Sequence, residues 1–61
     1  MRRPEVRWQL IQAAARVFGE KGIDAARLDD VATEAGFTRG AVYSNFSGKD
    51  DLISAVITER V

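Results

Sequence analysis

Residues 28–46, LDDVATEAGFTRGAVYSNF, decide the fold, because two short helical patterns flank a glycine inside this stretch. In the first pattern, apolar or small residues recur at i, i+3, i+4 and i+7, which predicts a short helix with one apolar face. Those positions are Leu28, Val31, Ala32 and Ala35. Gly36 ends this helix, and Thr38 is a good N-cap for a second helix that runs to about Phe46.

The small residues in this stretch indicate a helix-turn-helix. Ala32 lies four residues before Gly36 and allows the two helices to cross closely, while Gly36 can adopt the left-handed conformation that turns the chain. We expect Phe37 to fill the space under the turn, with Val31 and Val42 packing from either side. In such a unit the second helix enters the major groove of DNA, where its N-terminal residues meet base edges.

The polar face of the second helix is therefore the predicted contact surface. The polar residues of this face are Thr38, Arg39, Tyr43, Ser44 and Asn45. Gly40 and Ala41 lie among them and are small enough to allow close approach. Arg39 can donate two parallel hydrogen bonds to a guanine, and Tyr43 and Thr38 can donate to phosphate. The alternatives are that Arg39 is a solvated surface charge and that Tyr43 is a core aromatic with a solvated hydroxyl.

Helical patterns flank the motif on both sides. The first predicted helix runs from about Pro4 to Lys21 and is ended by Gly22; its apolar stripe is Val6, Leu10, Ala14, Val17 and Phe18. Another helix starts near residues 49–51, and its predicted apolar face is Leu52, Ile53, Val56 and Ile57. Lys49 stands at the start of this helix, where backbone amides favour phosphate, so one interpretation is that Lys49 binds phosphate. The other interpretation is that it is an ordinary surface lysine.

The aromatic residues divide by their position on the predicted helices. Phe18, Phe37 and Phe46 are expected in the core because of their helical spacing. Trp8 lies off the apolar stripe of the first helix, so two interpretations stay open: a partly exposed residue, or one that packs against another domain or a neighbour.

Composition limits the chemistry that this chain can perform. Its 61 residues form at most one small domain, and the absence of Cys and His excludes thiolate zinc sites, disulfides, Cys nucleophiles and imidazole catalysis. We expect no cofactor and no metal. The aspartate pairs at positions 29–30 and 50–51 are adjacent on helices, where side chains point about 100° apart, so they suit the helix dipole better than catalysis.

Charge and hydropathy give mixed indications about a nucleic-acid partner. Nine basic and nine acidic residues leave a formal net charge of zero, whereas DNA-binding domains usually carry a positive surplus. Basic residues nevertheless dominate residues 1–16 and acidic residues dominate 20–34, and this distribution is what a partner meets.

No apolar run approaches ~20 residues, and no signal peptide is apparent, so a soluble intracellular protein without a membrane partner is expected.

Across most of its length the chain resembles the N-terminal DNA-binding domain of TetR-family repressors. The resemblance runs from about Arg7 to Val56 and covers residue types and spacings in four helices. The matching segments are Leu10-Ile11-Gln12-Ala13-Ala14 then Val17-Phe18, Lys21-Gly22-Ile23, Val31-Ala32 then Ala35-Gly36-Phe37, Gly40-Ala41-Val42-Tyr43 then Phe46, and Gly48-Lys49 then Leu52.

The resemblance implies an all-α fold, a three-helix, homeodomain-like helix-turn-helix bundle followed by the start of a fourth connecting helix. Residues 1–48 would form the DNA-binding domain, and 49–61 would lead to a C-terminal domain that is absent here. In the family, that domain dimerises and binds a small-molecule inducer. The implied function is a ligand-responsive repressor in the bacterial cytoplasm, bound to double-stranded DNA at an inverted-repeat operator as a homodimer.

The resemblance also implies roles for individual residues. By position, the family resemblance implies that Tyr43 and Lys49 contact phosphates. It also implies contacts to bases or to the DNA backbone from Thr38, Arg39, Gly40 and Ser44. The start of the second helix, Arg27 and Leu28, would lie against the DNA backbone. A basic N-terminal arm in the minor groove would give Arg2 and Arg3 a role; otherwise they form a disordered tip.

This sequence departs from the family pattern at the start of the second helix. Arg27 stands where the family usually has Thr, so a capping side chain is replaced by a cation and the helix start should be weakened. Asp29 is acidic close to where phosphates should pass, which argues against a tight contact at that point.

Two other classes of function compete with DNA binding for this sequence. A helix-turn-helix bundle that serves as a protein-interaction module would agree with the zero net charge. An enzyme is the least favoured class, because a pocket of useful size is hard to form in 61 residues and no nucleophile–base pair is apparent.

Overall fold

Four helices make up the fold. The structure, a computed structural model, describes residues 3–60, with side chains described for 6–59. The helices are α1 (Arg3–Lys21), α2 (Leu28–Ala35), α3 (Arg39–Asn45) and α4 (Lys49–Arg60), and this part of the chain contains no strand. The predicted all-α class and all four helices are confirmed, with the start of α1 one residue earlier than predicted.

The turn between α2 and α3 depends on the backbone conformation of Gly36. Its φ of 79° and ψ of 24° lie in the left-handed region, and its N–H donates to the carbonyls of Ala32 and Thr33 at 3.0 and 3.2 Å. The N–H of Phe37 also donates to Ala32, at 3.0 Å. A Cβ added to Gly36 would meet no atom within 4 Å, so the turn requires glycine for its conformation and not for space.

The two helices of the motif begin in different ways. The hydroxyl of Thr38 accepts from the backbone N–H of Ala41 at 3.2 Å, which confirms the predicted N-cap of α3. The side chain of Arg27 makes no capping hydrogen bond at α2, as its chemistry predicts. Asp30 accepts from the Arg27 N–H at 3.1 Å, which is the other hydrogen bond of a capping box and fixes the start of α2.

The core lies where α1 packs against α2 and α4, and where α2 packs against α3. Its buried members are Leu10, Ile11, Ala13, Ala14, Val17, Ala26, Val31, Ala32, Val42, Phe46, Leu52 and Ala55. Phe46 is buried as predicted, whereas Phe18 and Phe37 are only partly buried against this cluster. All four helices therefore contribute to the core, and buried Val42 and Phe46 hold α3 against it.

The predicted apolar face of α4 is wrong at one position. Leu52 is buried and Val56 packs against the core, but Ile57 is 59% exposed. The buried face instead includes Ala55, which with Leu52 and Val56 gives i, i+3 and i+4 spacing. Ile57 lies about 100° further round the helix from Val56 and so falls outside this narrow stripe.

Candidate nucleic-acid interface

Five predicted contact residues line one surface depression, of about 310 Å³. They come from the start of α2, from α3 and from the start of α4, and are Arg27, Leu28, Arg39, Tyr43 and Lys49. Ala26 and Asp29 complete the lining. The fold therefore brings Arg27 and Lys49, which are 22 positions apart in the sequence, to the side of the molecule where α2 and α3 meet.

Arg39 is the first residue of α3 and extends to an acidic neighbour on α2. Its Nε lies 2.7 Å from Oδ1 of Asp29, and the two side chains are 66% and 49% exposed. Because the guanidinium has five N–H donors, one carboxylate leaves some of them available to a ligand. The sequence indicated that Asp29 lies near the predicted path of the phosphates, but it did not indicate that Asp29 pairs with Arg39.

Tyr43 lies one helical turn after Arg39 on the same side of α3. The residue is 51% exposed, although tyrosine is often buried against a core. This exposure excludes the interpretation of Tyr43 as a buried core aromatic. Its phenol can reach a partner outside the chain, and the predicted phosphate contact stays a prediction.

Lys49 is engaged with the loop between α1 and α2. Its Nζ donates to the carbonyl oxygens of Ile23, Ala26 and Asp24 at 2.6, 2.9 and 3.4 Å. These three contacts match the three N–H donors of an ammonium. Lys49 therefore ties the start of α4 to this loop, and a direct bond to phosphate requires it to give up at least one carbonyl.

The other predicted contact residues, on α3 and at its N-cap, are exposed and small. Thr38 is exposed and uses its hydroxyl as an acceptor in the N-cap. Ser44 is exposed and its hydroxyl donates to the carbonyl of Ala41 at 3.0 Å, so a bond from Ser44 to phosphate requires the hydroxyl to rotate. At Gly40 an added Cβ would have one neighbour, Thr38 Oγ1 at 3.8 Å, which leaves the helix surface open for close approach.

The structure describes the side chain of Arg27 but not the side chains of the N-terminal arginines. Arg27 is exposed, and no carboxylate pairs with it among the side chains of residues 6–59. Arg2 lies outside the described residues. Arg3 is the first residue of α1, and its side chain also lies outside them. The minor-groove arm stays a prediction.

The two aspartates in the first turn of α2 contact different partners. Asp29 approaches Arg39 of α3, whereas Asp30 accepts from the Arg27 backbone and lies 3.7 Å from Nζ of Lys21. The two carboxylates therefore point to different neighbours, as the angle of about 100° between adjacent helical residues predicts. In residues 6–59 no group of acidic side chains is placed to hold a metal ion, and in residues 3–60 no helix is long and apolar enough to cross a membrane.

Comparison with known proteins gives consistent matches. The model of a family described as bacterial regulatory proteins, tetR family, matches residues 10–56. The HTH-type transcriptional regulator SrpR of Pseudomonas putida is 46% identical over 56 residues, which are 92% of this chain and 26% of SrpR. The HTH-type transcriptional activator FasR of Mycolicibacterium smegmatis is 41% identical over 59 residues, 97% of this chain and 27% of FasR.

A solved structure agrees with these sequence matches. The crystal structure of a HlyIIR mutant superposes with a TM-score of 0.89 at 25% sequence identity, covering 97% of this chain and 33% of that one. The chain thus spans about a quarter of the length of SrpR and FasR and a third of HlyIIR.

Proposed function

The chain belongs to the tetR family of bacterial regulatory proteins, and from this premise we propose that it binds double-stranded DNA in a sequence-specific manner. Its relatives are named as transcriptional regulators, so the proposed role is control of transcription and not catalysis. The observation that carries the proposal is the open face of α3. Arg39, Tyr43 and Ser44 are exposed on it, while Val42 anchors the helix in the core.

In the proposed complex, α3 lies in the major groove, which is about 12 Å wide and admits one helix. Arg39 sits at the N-terminal end of α3, where recognition helices meet base edges, and it is the residue that reads a guanine. Thr38, Gly40 and Ser44 allow the helix surface to approach bases and backbone. Tyr43 donates to a phosphate.

The start of α2 provides the proposed contacts to the DNA backbone. Arg27 and Leu28 stand at its N-terminus, where the positive end of the helix dipole favours phosphate. Lys49 adds positive charge to the same depression, although its N–H donors hold the loop between α1 and α2. We therefore expect Lys49 to attract phosphate mainly through its charge, and Arg2 and Arg3 to follow the minor groove.

The finer features of regulation are also proposed. A homodimer formed through a C-terminal domain would place two copies of α3 on an inverted-repeat operator, with half-sites about 34 Å apart, one turn of DNA. A small-molecule inducer bound to that domain would release the DNA, which makes the protein a repressor. Its place of action would be the bacterial cytoplasm, at the nucleoid.

A second candidate function is a protein-interaction module, favoured by the zero net charge and by the four ion pairs at the surface of residues 6–59. Salt separates the two candidates. DNA binding weakens steeply with salt because bound counterions are released from the duplex, whereas binding to a protein through an uncharged surface changes little.

The proposal is tested by selecting bound sequences from random double-stranded DNA, using the chain fused at its C-terminus to a dimeric coiled coil. Tethering two copies raises their effective concentration on DNA, so weak individual binding becomes measurable. We expect the selected sequences to share a short inverted repeat. Recovery of sequences with no common element would contradict sequence-specific binding.

A further inference from the structure

The ion pair between Asp29 and Arg39 has no role in the function proposed so far. It joins the first turn of α2 to the first turn of α3, with 2.7 Å between Oδ1 and Nε. Both residues line the depression that contains Tyr43 and Lys49, and both also line a second one beside Thr33 and Phe37. The pair therefore lines two depressions on the surface where α2 and α3 meet.

The exposure of the pair indicates what it does not do. With side chains 66% and 49% exposed, the two charges stay largely hydrated, and such surface pairs contribute little to folding. A second exposed pair occurs elsewhere on α2, where Glu34 Oε2 lies 2.8 Å from Arg16 Nε of α1. Arg16 Nε also donates a hydrogen bond in that pair, whereas the contact between Arg39 and Asp29 is an ion pair without one, and only the Asp29 pair involves α3.

We propose that Asp29 is a specificity-determining positioning residue, which holds the guanidinium of Arg39 in the orientation that reads one guanine. This inference rests on the proposed function of DNA binding. An arginine side chain has many rotamers and, when unrestrained, reaches several base edges or a phosphate from the same helix position. A carboxylate beside Nε limits that choice before DNA arrives.

The geometry leaves Arg39 able to bind after Asp29 has restrained it. A carboxylate occupies at most two of the five guanidinium donors when it approaches from the Nε side, so at least three remain. Two of these are sufficient for the O6 and N7 acceptors of a guanine. Asp29 therefore acts on the DNA through Arg39 and does not itself need to touch a base.

Asp29 also has an effect that does not involve Arg39. Its negative charge lies on the surface that phosphates approach, so it weakens binding to every sequence. Removal of the charge thus has two separable consequences: affinity for unrelated DNA rises, and the preference for the guanine falls. This combination distinguishes a positioning residue from a residue that acts only by its charge.

The experiment compares two duplexes by fluorescence anisotropy at low ionic strength. The first duplex is the sequence selected from random DNA, and the second has an A·T pair in place of the G·C pair whose preference is lost in Arg39→Ala. For Asp29→Asn we expect the affinity for the second duplex to rise. We also expect the ratio of the two affinities to fall at least about fivefold, since the bidentate contact that discriminates the guanine is lost.

Two further variants serve as controls. Glu34→Gln removes the same charge from the same helix and breaks the matched pair with Arg16, so the affinity ratio should remain unchanged. In an Arg39→Ala background, Asp29→Asn should strengthen binding to both duplexes by the same factor, with no further loss of preference. Helical circular dichroism verifies that each variant is folded.

The outcomes separate the inference from the function on which it rests. A wild-type chain that prefers no duplex over any other overturns both. A wild-type preference that Asp29→Asn leaves intact, or that survives while both duplexes bind more tightly by an equal factor, overturns only the positioning role. A reduced ratio in Glu34→Gln as large as that in Asp29→Asn also overturns it.

Discussion

The guanidinium of Arg7 lies over the ring of Phe46, with 4.9 Å between its central carbon and the ring centroid. Phe46 is the C-cap of α3 and is almost fully buried, whereas Arg7 belongs to α1 and also pairs with Glu59 of α4. One side chain thus connects α1, the end of α3 and α4. Since α3 carries the proposed reading surface, this contact helps to hold that surface in place.

The first prediction concerns the stability of this contact. Replacement of Arg7 by Ala should lower the free energy of unfolding by about 0.5–1 kcal/mol, the usual value of an exposed cation–π contact. In a domain of this size that corresponds to a fall in Tm of roughly 2–8 °C. Arg16→Ala is the control, because Arg16 has an exposed ion pair on the same helix and no ring contact is described for it. Equal Tm values for the two variants would contradict the prediction.

The second prediction concerns the turn of the helix-turn-helix. Gly36→Ala should destabilise the fold by about 1–2 kcal/mol, because a residue with a Cβ pays that amount in the left-handed conformation. Gly19→Ala is the matched control: Gly19 lies within α1, has open space around its Cβ position and has no positive φ. That variant should gain up to ~1 kcal/mol through helix propensity. Urea denaturation measures both, and a loss of stability in Gly19→Ala comparable to that in Gly36→Ala would refute the argument.

The third prediction concerns Lys49, whose Nζ donates to three loop carbonyls. Lys49→Met keeps most of the aliphatic chain and should cost about 1–3 kcal/mol, because hydrogen bonds to a charged group are lost. Lys21→Met should change stability by less than about 0.5 kcal/mol, since Lys21 is exposed and its pair with Asp30 is 3.7 Å long. Thermal unfolding compares the two variants. If Lys49→Met unfolds at the wild-type temperature, the loop does not depend on this ammonium.

The fourth prediction separates base reading from backbone contact. Arg39→Ala should lose about 1–3 kcal/mol of preference at one base pair, whereas Arg27→Ala should weaken all duplexes alike and reduce the salt slope by about one. Arg27 is the control for charge, because both residues are exposed arginines that line the same depression. Anisotropy titrations at several salt concentrations provide both quantities. A loss of sequence preference in Arg27→Ala, with none in Arg39→Ala, would reverse the assignment.

Local patterns were sufficient to predict the helices and the turn. The spacing of Leu28, Val31 and Ala32 defined the apolar face of α2, and Gly36 and Thr38 marked where one helix ends and the next begins. These signals act over three or four residues, so they can be read from the sequence without knowledge of the rest of the fold. Five of the predicted contact residues line one depression, whereas Thr38, Gly40 and Ser44 do not line it.

Contacts between distant residues could not be predicted in the same way. Asp29 approaches Arg39, and Lys49 reaches the loop that contains Ile23, only because the helices adopt particular rotations about their axes. Those rotations depend on the packing of the whole core, for which periodicity in one helix gives no information. The error at Ile57 has the same origin, because the width of a buried stripe depends on what packs against it.

The central claim is that the exposed side of α3 and the first turn of α2 meet the DNA. Amide chemical-shift changes in the 61-residue chain, titrated with the selected duplex, test it most directly. We predict that the largest changes occur at residues 27–29 and 38–44, and that they diminish as salt is raised. Changes concentrated instead around the exposed Trp8 and Ile57, with little change along α3, would contradict the account.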